Sequence, residues 1–125
     1  RQMCIRDSFE MGRELSALRD EGVMIIGSGN VVHNLAKIQW GTESGFSWAE
    51  EFDGYIRDKI EKKEFPDVVD YKKAGSCAKM AFPMPDHFYP LLYALGASNE
   101  ADRPTVFNDD CLMGSLSMTS YLFQP

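Results

Sequence analysis

The sequence predicts an α/β fold with a central, mostly parallel sheet flanked by helices, and three neighbouring features carry that expectation. Phe9, Met11, Leu15 and Leu18 recur at near-helical spacing, and Gly22 supplies a stop after Arg19-Asp20-Glu21. Val23-Met24-Ile25-Ile26 follows as a short continuous apolar run, the pattern of a strand buried on both faces. Gly27-Ser28-Gly29 then turns the chain into a segment that Asn30 can cap as a helix carrying Val31, Val32, Leu35 and Ile38. Helix, strand, Gly-rich turn and helix in succession read as an αβα unit.

The later elements follow the same rules. After the polar loop Gly41-Thr42-Glu43-Ser44-Gly45, Ser47 is placed to cap a charged helix running to about Lys63, with Trp48, Phe52, Tyr55 and Ile56 on one face. Pro66 permits a short helix through Val68, Val69 and Tyr71, and Ala74-Gly75-Ser76 reads as a break. Pro83-Met84-Pro85-Asp86-His87 leads into a helix carrying Phe88, Leu91, Leu92 and Leu95, with Gly96 as its expected stop. Pro104–Phe107 and Leu116–Tyr121 read as two strands, separated by Asn108-Asp109-Asp110 and a turn around Gly114.

Composition narrows the function classes. With 125 residues and 44% hydrophobic side chains the chain can bury one core. It carries 13 basic against 19 acidic side chains, a net charge of −6, and no basic stripe, which argues against nucleic acid and anionic membrane as partners. No apolar run reaches the roughly 20 residues that span a bilayer, and the first residues lack the order of a signal peptide. Cys4, Cys77 and Cys111 are an odd set without metal-site spacing, which suits reduced thiols and a cytoplasmic protein.

Two histidines stand out. The Gly27-Ser28-Gly29 turn fails as a nucleotide loop, because a dinucleotide fingerprint needs a third glycine where Val32 stands and a P-loop needs Gly-Lys-Ser/Thr. It can instead bend the backbone around the carboxyl end of a strand, where ligands of open α/β sheets bind. His33 falls in the first turn of the expected helix, where the local positive potential favours a neutral ring able to accept a proton. A lone histidine is more often kept for packing; here the context favours an active-site residue.

His87, the other histidine, follows Asp86 at the opening of a second helix, where Asp86 can serve simply as the N-cap. If both helices start at one sheet edge, the two rings share a pocket and a metal. A catalytic metal asks for about three protein ligands, so more must come from elsewhere, with the loop acids Glu43, Asp109 and Asp110 as sources in principle. Neither Cys77 nor Cys111 carries a nucleophile signature, and Ser28 lacks the Gly-x-Ser-x-Gly elbow.

Three ordered blocks carry a resemblance: Gly-Ser-Gly-Asn-Val-Val-His-Asn-Leu at 27–35, Pro-Asp-His-Phe-Tyr-Pro-Leu-Leu-Tyr-Ala-Leu-Gly-Ala at 85–97, and Gly-Ser-Leu-Ser-Met-Thr-Ser-Tyr at 114–121. Together they resemble the class III extradiol ring-cleavage dioxygenases, in particular the 4,5-DOPA extradiol group, over about Phe9 to Phe123. The resemblance implies a single nonhaem Fe(II), often replaced by Zn(II) in purified protein, that binds a catechol and O2 for ring opening. It implies that His33 exchanges protons with the catechol and counts among the metal-site residues, and that His87 is a metal ligand.

The family's other metal histidines lie in an N-terminal half without counterpart here. The expected organisation is therefore a non-native leader over residues 1–8, then the C-terminal part of one catalytic domain over 9–125, inactive by itself. The alternatives are a non-enzymatic binding protein on the same scaffold and a zinc-dependent hydrolase using metal-bound water. Ser117, Thr119 and Tyr121 fall in the third block, where strand packing explains them as well as substrate contact does. The physiological catechol, the bond cleaved and the oligomeric state are not encoded in any motif.

Overall fold

Helices α1 (Ile5–Leu15) and α6 (Tyr89–Ala97) cross face to face at Gly12 and Gly96 in the structure, a computed structural model that describes residues 4–125. A Cβ on Gly12 would lie 2.3 Å from the Tyr93 carbonyl oxygen, and one on Gly96 would lie 2.1 Å from that of Phe9. Gly96 is thus a packing residue inside α6 rather than its expected stop; the helix ends one residue later, with Ser98 as C-cap. Residues 5–8 of the expected leader form the first turn of α1, and residues 1–3 lie outside the described residues.

After α1 a single short turn, α2 (Ala17–Asp20), closes at Gly22 with φ of 81°, the left-handed conformation the sequence pattern calls for. Helix α3 (Ser47–Glu61) is the central pillar. It buries Ala49, Phe52, Ile56 and Ile60 at helical spacing, together with one charged side chain, Asp53. Phe46 occupies its N-cap, without the side-chain cap expected of Ser47.

Helix α4 (Phe65–Val69) has Pro66 in its first turn, as expected. The segment after the Gly75 break is a helix, α5 (Ser76–Ala81), which periodicity over so few residues does not reveal. Phe52, Tyr71, Phe82 and Phe88 meet at the centre of the core with ring centroids 5.2–6.2 Å apart, mostly edge to face. Phe52, Phe88 and Leu92 are fully buried, and each such side chain contributes about 1.5–3 kcal/mol of hydrophobic stabilisation.

The chain mixes helices with short strands, but the expected parallel sheet is replaced among the described residues by two antiparallel pairs. Strand β1 (Arg103–Phe107) pairs with β4 (Ser120–Gln124), Val106 opposite Tyr121. Strands β2 (Cys111–Leu112) and β3 (Leu116–Ser117) form the second pair, around Gly114 with φ of 76°. The expected strand over Leu116–Tyr121 is interrupted at Met118 and Thr119, so its ends belong to different sheets.

Val23–Ile26 forms no regular element and is in no sheet among the described residues, and Met24 and Ile26 are 78% and 79% exposed. An apolar run specifies extended backbone; a strand also needs a neighbour on its hydrogen-bonding edge. Nor does a helix start at Asn30. The chain stays irregular through Val32, His33 bridges to Leu116, and only a single 3-10 turn forms at Leu35–Lys37. The groups a helix would consume are taken by tertiary bonds, described below. No helix among the described residues is long and apolar enough to cross a membrane.

Candidate active site

The Gly-rich turn acquires its purpose from what it touches. A Cβ on Gly29 would fall 2.2 Å from the His87 carbonyl oxygen, and one on Gly27 would fall 2.4 Å from that of Pro90. Both glycines let the backbone lie directly against residues 87–90 at the start of α6. The Asn30 N–H donates to the His87 carbonyl at 2.8 Å, and its side-chain Nδ2 donates to the Ser117 carbonyl at 2.8 Å. Asn30 is thus a clasp joining the turn, the His87 loop and β3, not a helix cap.

His33 is fixed by the same extended backbone. Its N–H donates to the Ala81 carbonyl at 2.8 Å, and on either side Val32 accepts from Ser117 N–H at 3.0 Å and Asn34 N–H donates to Ser115 at 3.1 Å. Asn34 Nδ2 reaches the Met80 carbonyl at 2.7 Å, and the Ser115 hydroxyl donates to the Asn34 carbonyl at 2.7 Å. The segment is held from both sides, with Val31 and Val32 buried beneath it.

These constraints bring the two histidines together. Their rings stack with centroids 3.7 Å apart and planes 17° apart. His33 is half-buried and His87 exposed, with Asp86 Oδ2 3.7 Å from His87 Nε2. Burial, and then the neighbouring His87, push the His33 pKa below its ordinary value, although Asp86 opposes this. A neutral imidazole beside an exposed one can accept a proton. The helix-start potential expected from the sequence plays no part, since no helix begins there.

As a metal position the pair is partial. Among the described residues no three metal-binding side chains converge. A ring nitrogen directs its lone pair in the ring plane, so two near-parallel stacked rings do not aim both lone pairs at one point. His87, exposed and without a close hydrogen-bond partner for its ring among the described residues, fits a single ligand position; His33 in this orientation fits a group beside the ion.

The other candidates lie elsewhere. Glu43, Asp109 and Asp110 line a separate cavity of about 350 Å³ with Glu50, Asp53, Arg57 and Cys111, and neither histidine borders it. Asp109 is engaged by Arg57. Burial holds the Cys111 thiol up to about 12, and burial also raises that of Cys77, whose Sγ donates to the Ala74 carbonyl at 3.3 Å. Neither is a thiolate nucleophile.

Sequence reasoning missed Asp53. It sits on the buried face of α3, 5% exposed, and accepts from the Ser117 hydroxyl and, at 2.7 Å, from the Thr119 hydroxyl. Burial raises its pKa, and the two hydroxyls partly offset this. Ser117 and Thr119 are therefore occupied in anchoring β3, whose Ser117 carbonyl holds Asn30. The available signal was an acid amid Ala49, Phe52, Ile56 and Ile60, at a position the helical period assigns to the core. The buried Tyr121 hydroxyl has no hydrogen-bond partner among the described residues.

Comparison with known proteins gives concordant matches. Residues 3–123 match the family described as the catalytic LigB subunit of aromatic ring-opening dioxygenase. The chain is 41% identical over 119 residues to a 4,5-DOPA dioxygenase extradiol of Escherichia coli (strain K12), covering 90% of this chain and 42% of that protein. It is 36% identical over 116 residues to one of Portulaca grandiflora, covering 92% and 43%. A crystal structure of an uncharacterised protein from Escherichia coli K12 superposes with a TM-score of 0.86 at 40% identity, covering 94% of this chain and 50% of that one. The chain thus spans less than half the length of these curated relatives.

Proposed function

The chain belongs to the LigB family of catalytic subunits of aromatic ring-opening dioxygenases, and on that premise we propose that it forms the proton-handling side of an extradiol dioxygenase active site. Residues 9–125 are, in this reading, the C-terminal part of one catalytic domain acting on a DOPA-like catechol and O2. The observation that carries it is the stacked pair, a half-buried histidine of lowered pKa against an exposed one. The names of the relatives supply the reaction class.

A nonhaem Fe(II), for which Zn(II) can substitute in purified protein, supplies Lewis-acid activation of the catechol hydroxyls and a place for O2 when bound. His87 would hold it, with His33 alongside and further ligands from outside the described residues. His33 takes up a catechol hydroxyl proton on an imidazole nitrogen and returns it as the ring opens. Burial supports this by keeping the ring neutral beforehand. Asn30 keeps the two rings in register by tying the backbones that carry them. Three unpaired cysteines agree with a cytoplasmic setting.

The test is oxygen uptake by the full-length protein containing this chain, loaded with Fe(II) under anaerobic conditions and given DOPA. Stoichiometric O2 consumption with a yellow ring-opened product is expected. Turnover that needs Zn(II) but not O2 would favour a hydrolase, and tight catechol binding without turnover a binding protein.

A further inference from the structure

Asp53 is the charged side chain that α3 buries, and the proposed reaction gives it no task. Nothing in the core requires an acid there. A buried carboxylate is costly unless hydrogen bonds satisfy it, and an apolar residue would continue the face formed by Ala49, Ile56 and Ile60. A carboxylate only accepts, so both bonded hydroxyls turn their protons toward it. Those hydroxyls belong to Ser117 and Thr119, on either side of Met118, where the chain passes from the β2–β3 pair to the β1–β4 pair. Ser117 is the junction. Its N–H donates to the Val32 carbonyl at 3.0 Å, its carbonyl accepts from Asn30 Nδ2 at 2.8 Å, and its hydroxyl donates to Asp53. Val32 precedes His33, whose own backbone bridges to Leu116, and the Asn30 N–H holds the His87 carbonyl.

We propose that Asp53 is a positioning residue for the His33–His87 pair, tying both histidine-bearing segments to α3 through Ser117 and Asn30. Its carboxylate is hydrogen-bonded to neither ring. It fixes the one residue whose N–H, carbonyl and side chain bind the His33 segment, the Asn30 clasp and the central helix respectively. A displacement of about 1 Å at a reacting centre lowers the rate by roughly a hundredfold, so a link remote from the chemistry governs turnover by placement alone. The inference rests on the reading of the pair as the reacting site, and the linkage itself is measurable without turnover.

The test is a matched pair of substitutions in the full-length protein containing this chain. Thr119→Val keeps the side chain's shape and removes a donor to Asp53; Thr119→Ser loses a methyl group and keeps the donor. Without substrate, Thr119→Val is expected to speed amide exchange at Asn30 at least about tenfold and to shift the His33 and His87 ring resonances, with the amides of α1 unchanged. In the iron-loaded protein it lowers kcat for DOPA ring opening at least about tenfold, while KM and metal content stay within about twofold. Thr119→Ser restores the parent values. Ser117→Ala, which keeps the main-chain bonds to Val32 and Asn30 and loses only the hydroxyl, reproduces Thr119→Val. Parent-like exchange and resonances in both Thr119→Val and Ser117→Ala overturn the proposal, because no linkage then runs through the carboxylate. So does Thr119→Ser as impaired as Thr119→Val, which would make side-chain shape the determinant, or shifted resonances with an unchanged kcat. If the parent protein opens no catechol ring, the reading of the function fails by itself, and exchange and resonances still decide the linkage.

Discussion

The His33 and His87 rings stack 3.7 Å apart because two independent hydrogen bonds, Asn30 N–H to His87 and His33 N–H to Ala81, fix the backbones beneath them. Position follows from main-chain geometry, and chemistry from the difference in burial between the rings.

Asn30 joins the Gly-rich turn to His87 through its N–H and to β3 through its side chain. Asn30→Ala removes the 2.8 Å bond to the Ser117 carbonyl and is expected to cost about 1–3 kcal/mol, the range for a part-buried acceptor left unsatisfied. Denaturant unfolding of the chain measures this directly. An unchanged midpoint would mean that the Gly-rich turn is held by its backbone bonds alone.

Gly29→Ala forces a methyl group against the His87 carbonyl, a backbone atom with no rotamer to yield. A loss of about 1–3 kcal/mol is expected, as in overpacked sites, together with altered His87 ring resonances in NMR spectra. Gly54→Ala, in α3 with nothing within 4 Å of the added carbon, serves as the control. It should stabilise by about 0.5–1 kcal/mol.

Two buried carboxylates respond oppositely to acid. The Arg19 guanidinium, with the Asn99 N–H assisting, lowers the Asp102 pKa; its stabilisation is complete above the unfolded value of about 3.9 and is lost as pH falls through the lower folded value. Burial raises the Asp53 pKa, so the native state is favoured as pH falls from that raised value toward about 3.9. Asp102→Asn should therefore flatten the loss of stability below about pH 4. Asp53→Asn should remove a gain that precedes it. Thermal unfolding against pH separates the two, and identical profiles for both variants would contradict the assignment.

Much of this was legible in the sequence. Helical spacing located α1, α3 and α6, and Gly22 marked a true stop. Gly96 looked the same but is a contact with Gly12, because a glycine's role depends on a partner 84 residues away. Val23–Ile26 showed the composition of a strand but not its lack of neighbours. Their motifs singled out His33 and His87, whereas the stacking of the two rings depends on Asn30 and Ala81 bonds that no local pattern encodes. Asp53 was hidden because an acid on an amphipathic helix is ordinarily solvated, and only burial against Ser117 and Thr119 reveals it.

The division of labour between the rings is tested most directly by metal content and single-turnover ring opening, measured together on full-length His33→Ala and His87→Ala. The account expects His33→Ala to keep its metal and lose ring opening by more than about a hundredfold, as for removal of a general acid/base, while His87→Ala loses metal. Full turnover in His33→Ala, or full metal occupancy in His87→Ala, would contradict it.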